Sequence, residues 1–212
     1  MNLQVSREDL LKQIGYKDSP QPRLLAMVVE MLGLLQGLLE PRWAFREIQD
    51  EKDLPAFLSG AVLKYAGAVT LGPKLEDRGK DLFDRGKPAE AYILDIAGSI
   101  AVTKAGNALW NEIRENAAAK GFKKGLRRTP GCRGIDLETQ RWVFEKLADI
   151  DLGIELTSSY MMSPRKSLSF LVRFGGKLKG SFSCKGCRQY SDCTLRSSLK
   201  NIRADGLGKR SP

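Results

Sequence analysis

Residues 125–149 read GLRRTPGCRGIDLETQRWVFEKLAD. The first half predicts a strand running into a turn at Pro130 and Gly131. Proline presets φ at the second turn position, and glycine accepts the positive φ that the third can require. The second half predicts a helix, with Asp136 as its N-cap. Downstream, LGIELTSSYMMSPRKSLSFLVRFGG (152–176) predicts strands near 154–156 and 167–174, around a polar loop holding Tyr160, Met161 and Met162. Upstream, residues 75–119 keep small or apolar residues at helical spacing, with a break at DRGKP (84–88).

The rest of the chain extends this pattern. Ser6 and Gly15 bracket a short helix, and an apolar helix covers 23–39. PRWAFREI (41–48) predicts a strand. DLPAFLSGAVLKYA (53–66) predicts a helix capped by Asp53 with Pro55 in its first turn, and AGAVTLGP (66–73) a short buried strand. Helices and strands alternate without a repeated βα unit. The expected class is therefore α+β: a small, twisted, mixed or antiparallel sheet with several helices. The core is expected within residues 1–176. Residues 177–212 form a basic tail, rich in Gly and Ser and poor in large apolar side chains.

The composition excludes several classes of function. The 212 residues are 42% hydrophobic, enough for one globular domain, and no apolar run reaches the roughly 20 residues that span a bilayer. The N-terminus lacks the basic start and apolar centre of a signal peptide, so the expected location is cytoplasmic, with no membrane partner. The chain has no histidine. That removes Ser-His-Asp and Cys-His nucleophiles, and imidazole ligation of a metal. The formal net charge of +10 suits an acidic partner, a phosphate-bearing cofactor or nucleic acid. Nucleic acid is the unlikely partner, because few aromatics interleave with the charges to form a stacking platform.

Three constellations have chemical potential. The first, RRTPGCRG, is either an ordinary type II turn with surface arginines or a backbone cradle beside Arg127 or Arg128, which can pair with a carboxylate. The second, LTSSYMMSPRKS, is either a strand connection whose methionines complete the core or a soft apolar surface for a flat cofactor. The small residues Ala97, Gly98, Ser99 and Ala101 likewise admit close helix packing or a ligand. The third is SFSCKGCRQYSDCTLR, where Cys184, Cys187 and Cys193 follow a C-x2-C-x5-C spacing. With Cys132 as fourth ligand they suit zinc or a [4Fe–4S] cluster; otherwise they are free thiols in a tail.

Taken in order, these segments resemble a known family, the S-adenosylmethionine-binding activation domain of cobalamin-dependent methionine synthase, in a short stand-alone form. The resemblance is carried by AVTLGPKLEDR, AYILDIAGSIAV, RRTPGCRGIDLETQRWVFEKL and GIELTSSYMMSPRKSLSF, and CKGCRQYSDCTLR is similar to the tail of stand-alone members. It implies reductive reactivation of a corrinoid (cobalamin) protein or cobalamin-dependent methyltransferase. A flavodoxin- or ferredoxin-type donor supplies one electron to cob(II), and S-adenosylmethionine methylates the cob(I) formed. By the resemblance, Arg127 holds the S-adenosylmethionine carboxylate. Thr129, Pro130 and Gly131 line the ligand with backbone groups, and Tyr160 and Met161 touch it. None of these is a catalytic acid, base or nucleophile. Two positions depart from the family pattern: Cys132 stands where the turn has tyrosine, and Thr103 stands where many members have an acid.

Overall fold

The computed structural model describes residues 2–16, 20–49, 53–132 and 134–176. The tail, and with it Cys184, Cys187 and Cys193, lies outside the described residues.

Among the described residues the α-helices and strands follow one another as α1 (Arg7–Ile14), α2 (Pro22–Leu38), β1 (Arg42–Glu47), β2 (Leu63–Thr70), α3 (Lys74–Asp84), α4 (Pro88–Ala119), β3 (Gly125–Arg128), α5 (Thr139–Glu145), β4 (Glu155–Leu156), β5 (Met162–Ser163) and β6 (Ser167–Phe174). The larger sheet has the order β1-β2-β6-β3 and is antiparallel throughout. The smaller sheet is the β4–β5 hairpin. The α+β expectation holds.

Side chains on the larger sheet alternate between two cores. On one face Tyr65, Val69, Phe170, Val172 and Phe174 pack against α1–α4. On the other Ala44, Ala66, Ala68 and Leu171 meet Val143 and Leu147, around α5. The longest element, α4, has 32 residues and so runs about 48 Å. Its buried stripe includes Ala97, Gly98, Ala101, Ala105 and Gly106. A Cβ on Gly98 would sit 2.8 Å from Leu75 Cδ2, and one on Gly106 2.8 Å from Leu168 Cδ1. The small residues thus serve close packing against α3 and β6.

Local signals set several boundaries as expected. Ser6 Oγ accepts from the Asp9 amide at 3.0 Å, and Gly15 at φ 96° ends α1. The break between α3 and α4 falls within the DRGKP segment. Lys166 joins three elements at the start of β6. Its amide donates to Glu76 Oε1 (2.9 Å), and its buried ammonium meets Asp95 Oδ1 (2.7 Å) and Ser99 Oγ (3.0 Å) on α4.

Two expectations are corrected. The helix expected over 53–66 is a 3-10 turn at Ala56–Leu58, followed by strand β2 from Leu63. All eight residues of β2 are buried, because the strand lies between β1 and β6 with a core on each face. A strand covered on both faces shows no two-residue alternation, so periodicity does not separate it from a buried helix. Helix α5 starts at Thr139 rather than after Asp136. Residues 136–141 first form i→i+3 bonds, Thr139 N to Asp136 O (3.0 Å) and Gln140 N to Leu137 O (2.9 Å) among them.

Candidate functional site

β3 is an edge strand, and its alternation sends neighbouring arginines to opposite faces. Arg127, in register with Val172, points toward α4. Its Nη1 donates to the Gly106 carbonyl (2.7 Å) and its Nη2 to Asn107 Oδ1 (3.0 Å). The guanidinium lies over the rings of Trp110 and Phe170, 5.9 and 5.4 Å from their centroids. No carboxylate among the described residues pairs with it. Burial alone pushes its pKa down to about 10, so at neutral pH the group is still charged. Arg128 points the other way, over Phe57, where Arg173 also donates to the Phe57 carbonyl (2.9 Å).

The chain then turns sharply. Cys132 N donates to Thr129 O at 3.1 Å, with Pro130 second in the turn and Gly131 third at φ 81°. This is a type II turn, and the positive φ explains the glycine. Pro130 is buried, whereas Gly131 and Cys132 are exposed. Gly131 N donates to Ile135 O (2.9 Å), which ties the turn to the segment entering α5.

The far end of that segment holds the Tyr160 loop. Between β4 and β5, Tyr160 N donates to Thr157 O and Thr157 N to Met161 O, each at 2.9 Å. Tyr160 occupies the left-handed region at φ 61°, a hairpin position usually given to glycine. Its surroundings hold it there. Gln140 Nε2 donates to the Tyr160 carbonyl (2.7 Å), Arg141 Nη2 to the phenolic oxygen (2.7 Å), and the phenol to Glu138 Oε1 (3.1 Å). Gln140 is buried, and its Oε1 accepts from Ser169 Oγ on β6 (3.0 Å). Met161 is exposed beside this loop.

The structure therefore brings the 129–132 turn and Tyr160 to two ends of residues 135–141. The Arg127 side chain lies on the opposite face of the sheet from α5, with the β3 edge between them. Thr103 is exposed on α4 and donates to the Ser99 carbonyl (2.8 Å). Two open grooves occur elsewhere: about 660 Å³ beside the C-terminal end of α5 and about 440 Å³ between α3 and α4. Neither is lined by Arg127, by the turn or by Tyr160. Sequence reasoning missed Asn107, Trp110 and Gln140. The available signal for the first two was GNALW (106–110), where asparagine interrupts the small-residue stripe of α4.

Among the described residues, no group of three or more His, Cys, Asp or Glu side chains is placed to hold a metal. Cys132 is exposed on the turn. No helix of the described residues is long and apolar enough to cross a membrane.

An antiparallel four-stranded sheet with a long small-residue helix on one face and a short helix on the other defines the class of fold, α+β. The crystal structure of the MetH reactivation domain bound to AdoHcy shares this fold. The two match with a TM-score of 0.60 and 16% identity, over 84% of this chain and 78% of that one. No family model matches the chain. No curated protein matches it either.

Proposed function

We propose that this protein binds S-adenosylmethionine at the β3 edge and serves the reductive reactivation of a corrinoid methyltransferase or corrinoid protein carried on a separate chain. The observation that carries the reading is Arg127. A charged guanidinium lies partly buried, without a carboxylate among the described residues, next to a type II turn, in a fold shared with a domain solved with AdoHcy bound. A ligand carboxylate at Arg127 would supply the missing anion through charge-assisted hydrogen bonds. Thr129, Pro130 and Gly131 would line the ligand with backbone groups, and Tyr160 and Met161 would bound it on the α5 side. The corrinoid of the partner supplies the cobalt that accepts the methyl group.

The task of this chain is then to bind and orient the methyl donor and to exclude water, which needs no histidine. An acidic corrinoid partner and a flavodoxin- or ferredoxin-type donor suit its positive charge. Cys184, Cys187 and Cys193, by their C-x2-C-x5-C spacing, would supply thiolates to zinc or an iron–sulfur cluster.

Calorimetric titration with S-adenosylmethionine tests binding. Incubation with reductant and a cob(II) corrinoid partner tests turnover, read from the visible spectrum of the methylated product. Absence of binding together with absence of methylation would overturn the reading.

A further inference from the structure

The groups that hold Arg127 are all neutral. A backbone carbonyl and an amide oxygen accept its hydrogen bonds, and two ring faces cover its plane. Two acids on α4 have other partners. Asp95 pairs with Lys166 (2.7 Å), and Glu112 Oε2 accepts from Trp43 Nε1 (3.2 Å). An aspartate at position 107 would have nearly the size of asparagine and would reach the same Nη2. It would close an internal ion pair and leave the guanidinium little reason to bind an outside anion. The amide oxygen fixes the plane of the guanidinium without cancelling its charge. The guanidinium also retains N–H donors beyond the two in use.

We propose that Asn107 is a positioning and specificity residue: it aims the Arg127 guanidinium from α4 while leaving its charge available, so that the β3 edge selects ligands bearing a carboxylate. This rests on the ligand reading above for the identity of the ligand, but not for its chemical class. Gly106 belongs to the same arrangement. Its lack of a side chain lets Leu168 approach α4, and its carbonyl receives the other Arg127 donor.

Asn107→Asp and Asn107→Leu test the proposal by calorimetry with three probes: S-adenosylmethionine, S-adenosylhomocysteine and 5′-methylthioadenosine, which lacks the carboxylate. Both variants are expected to lose about tenfold or more in affinity for the first two probes, as expected when a charge-assisted hydrogen bond is lost, and little for the third. Asn107→Asp is also expected to melt at a higher temperature. Folded variants that bind all three probes as the wild type does would overturn the proposal, as would equal losses for all three.

Acetate titration, followed by Trp110 fluorescence with Trp110→Phe as control, separates this proposal from the functional one. If the wild type ignores S-adenosylmethionine but responds to acetate, and both variants lose that response, Asn107 keeps its role and the methyl-donor reading falls. If the wild type binds no carboxylate at all, both fall.

Discussion

Replacing Gly125 by alanine tests how β3, and through it Arg127, is held to the sheet. Gly125 faces Phe174 in register, and a Cβ there would lie 2.6 Å from Phe174 Cδ1 and 2.8 Å from Cζ. The ring has little room to yield. It is 1% exposed, stacked on Trp110 at 5.9 Å and set edge-on to Tyr65 at 6.1 Å. Overpacking of this kind costs about 1–3 kcal/mol. The lower entropy of the unfolded chain offsets about 0.4–1 kcal/mol of it, leaving a net destabilisation centred on about 1.3 kcal/mol. For a domain of this size that lowers Tm by about 3–6 °C. Phe174→Leu alone should cost about 1–2 kcal/mol, well below a full Phe→Ala truncation. The double variant removes the clash, so it should be more stable than the sum of the two single changes by about 1 kcal/mol. Urea unfolding of all four proteins measures this cycle. Additivity within about 0.3–0.5 kcal/mol, or an unaltered midpoint for Gly125→Ala, would refute the packing argument.

Other perturbations have equally definite outcomes. Gln140→Leu leaves the Tyr160 carbonyl and the Ser169 hydroxyl without their amide partner, at about 2 kcal/mol, and should speed limited proteolysis within residues 157–161. Lys166→Met should cost about 1–2 kcal/mol in urea unfolding. Asp149→Ala, which breaks an exposed pair with Arg46, should leave the urea midpoint nearly unchanged. The Tyr65 phenol is pushed up to about 12, by burial first and by Glu47 second. Its folded pKa exceeds its unfolded one, so its contribution is full below about pH 10 and is lost as pH rises toward about 12. Tyr65→Phe should flatten that part of a stability-against-pH curve. Protein purified anaerobically should carry about one zinc or one cluster per chain, and Cys184→Ser should lose it, as measured by elemental analysis and visible absorption.

What was legible in the sequence was what neighbouring residues decide. Ser6 and Gly15 bounded α1, Pro-Gly produced the type II turn at 129–132, and the small residues of α4 packed tightly as their size requires. What was hidden depended on partners distant in the chain. The start of β2, Leu63–Ala66, reads as the end of a helix because two cores cover it, and nothing local reports the second one. Asp136 has the chemistry of a cap, but the chain spends residues 136–138 on tighter turns before α5 begins. Arg127 was visible as a candidate; its orientation toward α4 was not, because that follows from the register of β3 on β6. Tyr160 was visible by type, whereas its left-handed backbone and its anchorage through Gln140 come from the packing of α5.

The two-sided character of the sheet has a thermodynamic consequence. Whatever adjusts Arg127 sits on α4 and one face of β6, and whatever adjusts Tyr160 sits on α5 and the hairpin. The two groups share few neighbours beyond the strand between them. Changes on the two sides should therefore combine as nearly independent free energies for any molecule that spans the β3 edge. For the proposed ligand, recognition at Arg127 could then be retuned without disturbing the side near Tyr160.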